Sequence, residues 1–406
     1  MTESTRTEAN KTVKYPSIHL QAGRQKRVVN GHPWVYSNEV QMDAAAKALP
    51  AGSPVRLLEP SGKPVGIFTF NPHTLVAARL LSTDPAAVID GAFLERRLRA
   101  ATELRDRLFG RPFYRLVHAE ADGLPGLILD RFGDVVTVQA NSAFIDQRMD
   151  LLLEALDRVL APRAVILRND SNQRGLEGLA EENRLAKGEL DGPIRLEENG
   201  SVFFADPLGG QKTGWFYDQR DNRAFIAGLA KGARVIDFYS YNGGFAVQCA
   251  LAGAESVVAV DRSQAALDNA ARAAEANGVA ARFEARRADA FEEMERLGAA
   301  EERFGVVIAD PPAFVKSKKD LAAGSRAYRK MTRLAARITA PGGYLLCASC
   351  SHNVDPPAFA EQVARGLTDA GRTGRILRSA GAAPDHPVHP HLPESAYLKA
   401  IVMQLD

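Results

Sequence analysis

Cysteine is scarce: three thiols in 406 residues cannot form a disulfide scaffold, and that usage suits a reducing compartment. Long apolar runs are missing as well. No stretch of about 18 apolar residues occurs, and the opening MTESTRTEANKTVKYPSIHL lacks the apolar segment of a secretory signal, so a soluble cytoplasmic protein with no membrane partner is expected. Net charge is nearly absent too, +2 from 51 basic and 49 acidic residues, which by itself demands no polyanionic partner. The charge is unevenly spread, since residues 1–100 hold 13 Lys/Arg against 8 Asp/Glu. What is present, 46% hydrophobic and 25% charged residues, is ordinary for a globular chain, and at roughly 150 residues per domain the length implies two or three domains.

The pattern divides the chain into a polar tail over 1–15, expected to be disordered, a small all-β module over 16–84, a helix with a small α+β unit over 85–195, and an α/β unit over 196–406. Between Ser17 and Thr83, short β-like runs broken by Gly and Pro predict five or six strands, with Pro60-Ser61-Gly62-Lys63-Pro64 as a tight reversal. Ile89, Phe93, Leu94, Leu98, Ala101, Leu104 and Leu108 fall at helical spacing and predict a connecting helix over 88–109. Residues 112–195 read as two strands on either side of a helix. After Pro193, short continuous apolar strands alternate with helices, which predicts a doubly wound, Rossmann-like sheet covered on both faces.

Ligands of such a sheet sit at the carboxyl ends of its strands. The first strand ends at Asp237 and leads into Tyr239-Ser240-Tyr241-Asn242-Gly243-Gly244, whose glycines let backbone approach a ligand. The spacing is not the G-x-G-x-x-G of a pyrophosphate site, so a nucleoside without a diphosphate fits better than a dinucleotide. Asp261 ends the second strand, where two carboxylate oxygens can grip a ribose diol. Asp289 follows the third, placed either to accept the exocyclic amine of an adenine or to cap a helix, and Asp310-Pro311-Pro312-Ala313-Phe314 ends the fourth. Candidate cofactor contacts are Asp237, Ser240, Asn242, Gly243, Asp261, Arg262, Asp289, Ala290 and Asp310. This ordered series resembles the S-adenosylmethionine-dependent methyltransferase fold, and the resemblance implies S-adenosyl-L-methionine as cofactor.

The Asp310-Pro311-Pro312 turn and the Phe314 ring offer a carboxylate, a stiff backbone and an aromatic face to a flipped base, and the same motif suits amino-group methylation. The next strand ends in Cys347-Ala348-Ser349-Cys350-Ser351-His352. C5 of cytosine is a poor nucleophile until a thiolate adds to C6, so a thiol at this edge points to C5 methylation with Cys350 and Asp310 as the catalytic candidates. Cys347, facing the opposite side from Cys350, and Cys249, in a helical run, are read as core. A Cys-x-x-Cys redox pair or half a zinc site fits less well, and no metal is expected. Lys316, Lys318, Lys319, Arg326, Arg329, Lys330, Arg333 and Arg337 face one acid, Asp320, across residues 316–337, either as a phosphate track or as a solvated helix face. Candidate substrate contacts are Pro311, Pro312, Phe314, Lys316, Lys318 and Arg326, with Lys26 and Arg27 of the all-β module, whose Trp34 and Tyr36 are read as core.

Several motifs narrow the resemblance: Gly31-His32-Pro33-Trp34-Val35-Tyr36, the run Gln211-Lys212-Thr213-Gly214-Trp215-Phe216-Tyr217-Asp218-Gln219-Arg220, Asn242-Gly243-Gly244-Phe245, Ser349-Cys350-Ser351, and Asp385-His386-Pro387 with Tyr397-Leu398-Lys399. Together they resemble the bacterial 23S ribosomal RNA cytosine-5 methyltransferases with an N-terminal PUA domain, over nearly all of residues 16–406. The resemblance implies a PUA-like RNA-binding barrel over 16–84, Cys350 as nucleophile and Asp310 holding the base, and it adds Gln211, Tyr217, Asp218 and Arg220 to the candidate cofactor contacts. Implied partners are 23S rRNA or a ribosomal precursor particle. A homodimer is left open, as are the nucleotide modified and the group that takes the C5 proton. Two alternatives stand beside this reading: amino-group methylation of an rRNA purine, and a non-catalytic ribosome-assembly factor. A nicotinamide oxidoreductase is the weakest, for want of the pyrophosphate glycines.

Overall fold

The computed structural model describes residues 13–210 and 213–406. Residues 1–12 of the expected tail lie outside the described residues, as do Lys212 and Gln211, the latter a candidate cofactor contact.

The first module is one five-stranded sheet of β1 (Ser17–His19), β2 (Trp34–Tyr36), β3 (Ser53–Leu58), β4 (Pro64–Phe70) and β5 (Val76–Ser82), ordered β1-β3-β4-β5-β2. Alternation along β3 sends Val55 and Leu57 into a core shared with Ile18, Val35, Phe68 and Phe70. At the predicted reversal Gly62 has a φ of +86°, and Glu59 exchanges backbone hydrogen bonds with Gly62 and Lys63.

The connecting helix, Gly91–Leu108, starts where the Asp90 carboxylate accepts the Phe93 N–H at 2.9 Å. Phe93, Leu94, Leu98 and Ala101 are buried as their spacing predicts, but Leu104 and Leu108 are exposed and Arg105, 0% exposed, lies inside. The cause is electrostatic. Arg105 pairs with both oxygens of Asp122 at 2.5 and 2.8 Å and donates to the carbonyls of Arg115 and Asp385, so its guanidinium is fully engaged once buried.

The small α+β unit departs from the expected two strands on either side of a helix. Three strands, β6 (Phe113–His118), β7 (Leu127–Phe132) and β8 (Val135–Ala140), precede the helix Met149–Leu160, and β9 (Ala164–Asn169) and β10 (Glu182–Lys187) follow it. The sheet order is β10-β9-β8-β7-β6. The added strand is one of the three before the helix; β10, which reads ENRLAK, is an edge strand on β9 with no apolar alternation.

A hairpin of β11 (Ile194–Glu198) and β12 (Ser201–Ala205) leads to the large sheet. Its strands are β13 (Arg234–Phe238), β14 (Ser256–Asp261), β15 (Phe283–Arg287), β16 (Phe304–Ala309), β17 (Thr339–Ser349), β18 (Gly374–Ala380) and β19 (Lys399–Leu405). The order is β15-β14-β13-β16-β17-β19-β18, with β19 antiparallel to both neighbours. The central strands feed two cores: Val235, Val257, Val306 and Leu346 enter one, Ile236, Val258, Val307 and Leu345 the other. The winding reverses between β13 and β16, so the crevice at their carboxyl ends is the expected ligand position. No helix among the described residues is long and apolar enough to cross a membrane.

Candidate active site

Val235, Ile236 and Phe238 are buried along β13 and carry Asp237 into the interior with them. Asp237 Oδ2 accepts the Ser240 hydroxyl at 2.6 Å and the Ala246 N–H at 3.2 Å, while Oδ1 is buried with no hydrogen-bond partner among the described residues. Burial pushes the Asp237 carboxyl up to about 7; the Ser240 hydrogen bond pulls against this and the Asp310 carboxylate adds to it. The next residues adopt a rare backbone, with Tyr239 and Tyr241 at φ of +61° and +50° and Gly243 at +76°. Asn242 Oδ1 and the Tyr239 hydroxyl are likewise buried without a hydrogen-bond partner among the described residues. Acceptors left bare around one loop call for donors on a ligand, and the amino and hydroxyl groups of an adenosyl amino acid fit that set.

The glycines of this loop are expected from sequence to admit a ligand, and the fold gives them another task. A Cβ on Gly243 would meet the Ala270 Cβ at 2.8 Å, and one on Gly244 the Arg223 guanidinium at 2.5 Å, so their bareness seats the helix Gly244–Leu251. Asp261 accepts the Tyr241 N–H at 2.9 Å and the Ser263 N–H at 2.8 Å, tying the ends of β13 and β14 together. Ser263, not Asp261, caps the helix that follows. Asp289 does cap a helix: its Oδ1 accepts from the Phe291 and Glu292 N–H groups, its Oδ2 meets Arg262 at 3.2 Å, and Ala290 is the buried first residue of that helix.

Asp310 and Cys350 directly follow β16 and β17, which are parallel neighbours. Cys249 and Cys347 are buried, which pushes both thiols up, Cys347 to about 12, whereas Cys350 is half-exposed. One phenol organises this side. The Tyr328 hydroxyl, on the buried face of the helix Leu321–Ile338, accepts from Ser349 Oγ at 2.8 Å, bonds Ser351 Oγ at 2.8 Å and accepts the Phe314 N–H at 3.4 Å. Ser351 Oγ also accepts the Val315 N–H at 3.1 Å, so the Asp310-Pro311-Pro312 loop and the Ser349-Cys350-Ser351 turn are clamped together. Pro311 is buried and Pro312 exposed. The half-buried Phe314 ring lies 4.8 Å from Tyr328, 5.9 Å from Phe291 and 6.5 Å from Tyr239, a member of an aromatic cluster that joins the two sides of the crevice.

Lys399 stands opposite Ser349 on β19, and its Nζ donates to the carbonyls of Ser351 at 2.6 Å and Tyr397 at 2.7 Å. The Tyr397 hydroxyl donates to Asp218 at 2.5 Å, and its ring lies 5.2 Å from that of His352. Asp218 thus joins the Cys350 side of the edge through Tyr397. Tyr217 and Arg220, from the same motif, are committed to the seam with the β6–β10 sheet. Tyr217 donates to the Arg131 carbonyl at 2.9 Å, and Arg220 lies over the Phe109 ring at 4.3 Å and the Tyr217 ring at 5.3 Å. Tyr328 has no sequence signal beyond an aromatic at helical spacing, and Tyr397 and Lys399 none beyond their place in the family motif.

Lys316, Lys318, Lys319 and Arg326 are exposed and form no ion pair among the described residues. The Lys316 carbonyl accepts from Asn353 at 3.3 Å, which places this basic segment against the Cys350 turn. Arg329 and Lys330 are instead paired with Asp369 and Glu295. In the first module Lys26 is exposed, but Arg27 is paired with Glu39 at 2.6 Å and stacks on Tyr36 at 4.6 Å. Trp34 and Tyr36 are half-buried rather than core, because the indole N–H of Trp34 reaches Glu120 at 2.8 Å across the seam with the second unit.

The sequence profile of the S-adenosylmethionine-dependent methyltransferase family matches residues 183–404, and that of a PUA-like domain matches residues 18–83. Ribosomal RNA large subunit methyltransferase I of Aeromonas hydrophila subsp. hydrophila is 37% identical over 395 residues, 96% of this chain and 99% of that protein. The protein of the same name from Salmonella schwarzengrund is 36% identical over 410 residues, 100% of both chains. A solved structure from Streptococcus mutans, assigned as a SAM-dependent methyltransferase, superposes with a TM-score of 0.80 at 20% identity over 96% of this chain and 100% of that one. A second structure, assigned as a methyltransferase and complexed with SAH, gives 0.81 at 20% identity with the same coverage of 96% and 100%. At that identity the likeness is one of fold.

Proposed function

The chain belongs to the S-adenosylmethionine-dependent methyltransferases, in the family of the Ribosomal RNA large subunit methyltransferase I proteins, and on that premise we propose that it methylates C5 of a cytosine in 23S rRNA through a covalent bond to Cys350. Its cofactor, S-adenosyl-L-methionine, supplies an electrophilic methyl group when bound. Asp237 and Asn242 hold it through their bare acceptors, with Ser240, Gly243, Asp261, Arg262, Asp289 and Ala290 framing the same side of the crevice. Asp310 takes the exocyclic amine of the flipped base, and the Cys350 thiolate adds to C6. The new S–C6 bond sends the C5–C6 π pair to C5, which becomes nucleophilic and is methylated. A base then removes the C5 proton, the double bond reforms, and the S–C6 pair returns to sulfur.

One observation carries this reading: of three thiols, the half-exposed one stands at the strand end next to Asp310. The exposed Lys316, Lys318, Lys319 and Arg326 beside it suit RNA phosphates, and the PUA-like module with Lys26 suits structured RNA farther away. The substrate is free 23S rRNA or a precursor particle, met in the cytoplasm. Ile376 and Leu377, exposed on the edge strand β18, are apolar residues that suit a homodimer contact.

Replacing Cys350 with Ala should leave cofactor binding unchanged in calorimetry while methyl transfer to 23S rRNA falls by more than about a thousandfold. Undiminished transfer would assign amino-group methylation through Asp310-Pro311-Pro312, and a wild-type protein that binds no cofactor would leave an assembly role. With 5-fluorocytidine in the RNA there is no C5 proton to remove, so the wild-type enzyme should accumulate a covalent RNA adduct that survives denaturation.

A further inference from the structure

Lys399 is 5% exposed, a rare position for an ammonium group. Its Nζ donates to the carbonyls of Ser351 at 2.6 Å and Tyr397 at 2.7 Å, charge-assisted bonds that strap β19 across the turn holding Cys350. The antiparallel register pairs Ser349 with Lys399, and from there the ammonium reaches the carbonyl of Ser351, the residue directly after Cys350.

Six further charged or titratable groups surround this pair. Cys350 and Asp355, the latter capping the helix Pro356–Asp369, act on Lys399. Tyr328 of the helix Leu321–Ile338 and Tyr397 lie within electrostatic reach of Cys350, and burial pushes both phenols up, so both are neutral near pH 7. His352 lies against the Tyr397 ring, Asp218 on its hydroxyl, and Asp310 at the neighbouring strand end. Burial pulls the Lys399 ammonium down to about 8, with Cys350 and Asp355 opposing, so it remains largely charged at neutral pH.

We propose that Lys399 is a positioning residue for the nucleophile: strapped over the turn by two carbonyl oxygens, its ammonium keeps the Cys350 sulfur as thiolate before the base arrives and again when the S–C6 bond breaks. This rests on the reading of Cys350 as nucleophile. The thiol proton passes to solvent, the thiolate pair forms the bond to C6, and on elimination that pair returns to a sulfur facing the same fixed charge.

Alkylation of Cys350 by iodoacetamide, followed by mass spectrometry as a function of pH, reads the thiol in the full-length enzyme without RNA. The buried Cys249 and Cys347 are internal controls that react only on unfolding. Cys350 should titrate below the ordinary thiol value of about 8.5. Lys399→Gln keeps N–H donors for the carbonyls and removes the charge, so its midpoint should rise by at least about one pH unit and alkylation at pH 7 should slow about tenfold or more. Lys399→Arg should restore both. Equal midpoints in wild type and Lys399→Gln, with melting temperature and cofactor binding intact, would overturn the proposal. If Lys399→Gln does not fold, the wild-type midpoint decides, and a value at or above the ordinary one overturns it. A depressed midpoint alongside a fully active Cys350→Ala enzyme would refute the nucleophile reading alone and leave the charge pairing standing.

Discussion

The two sides of the crevice are built on opposite terms. On the β13–β14 side, Asp237 Oδ1, Asn242 Oδ1 and the Tyr239 hydroxyl are buried without hydrogen-bond partners among the described residues, and two tyrosines hold positive φ. On the β16–β17 side the chain completes itself: Tyr328 joins Ser349, Ser351 and Phe314, and Lys399 holds two carbonyls. A buried polar group left bare costs about 1–3 kcal/mol, so it persists where a ligand completes it. A nucleophile has the reverse need, since it must be held in place before the substrate arrives. Cofactor binding should therefore stabilise the fold strongly, whereas the Cys350 turn should be the same with or without it.

That contrast breaks most visibly at Asp237. Its carboxyl is raised from 3.8 to about 7 in the fold, so the protonated form is favoured. The associated stability is fully present below about pH 4 and lost as pH rises through 7, a change on the order of 4 kcal/mol in the cofactor-free protein. Asp237→Asn removes the titration. Thermal melts should show the variant more stable than wild type at pH 8 and little different at pH 4, while calorimetry shows cofactor affinity down roughly a hundredfold. Equal stability of the two proteins at pH 8 would mean that the fold does not raise the Asp237 carboxyl, and retained affinity that Asp237 has no part in binding.

Tyr328→Phe tests the other side with a smaller effect. The missing hydroxyl unclamps the Asp310 loop from the Cys350 turn and leaves the buried Ser349 and Ser351 hydroxyls short of a partner. Stability should drop by about 1–3 kcal/mol and kcat by roughly ten- to a hundredfold, with cofactor affinity unchanged. Affinity falling in step with kcat would show that the two sides are not independently built.

What the sequence made legible divides along the reach of each interaction. The doubly wound sheet is readable because its signals are local: SVVAVD and VVIAD are apolar runs with an acid directly at their end, and Cys350 follows its strand in the same way. Asp289 is ambiguous in sequence because a helix cap and a ligand carboxylate occupy the same position, and the fold uses it as a cap. Tyr328 looks like core, since the serines that use its hydroxyl lie 21 and 23 residues onward. Arg105 displaces the expected leucines because its partners include the Asp385 carbonyl, 280 residues away. Tyr217 and Arg220 carry a family motif, but a motif does not say whether a side chain turns to the ligand or to a neighbouring sheet.

Ser240 gives the smallest effect and the finest division between the two sides. Its hydroxyl donates to Asp237 Oδ2 at 2.6 Å, an oxygen shared with the Ala246 N–H at 3.2 Å. A hydrogen bond to the ionised carboxylate favours it, so this hydroxyl restrains a carboxyl that burial drives upward. Ser240→Ala removes one oxygen and the restraint with it, and the Asp237 carboxyl should titrate higher by about half to one pH unit. Because the proposed contact sets a charged carboxylate against the cofactor's ammonium, the pH midpoint of cofactor affinity should move up by the same amount. Binding then weakens about two- to fivefold at pH 7 and returns to the wild-type value well above the midpoint. A loss of affinity equal at every pH would place the Ser240 hydroxyl on the cofactor itself. A shift in the Cys350 alkylation midpoint of the same variant would show that the two sides share one electrostatic field, and that their separation is a matter of geometry alone.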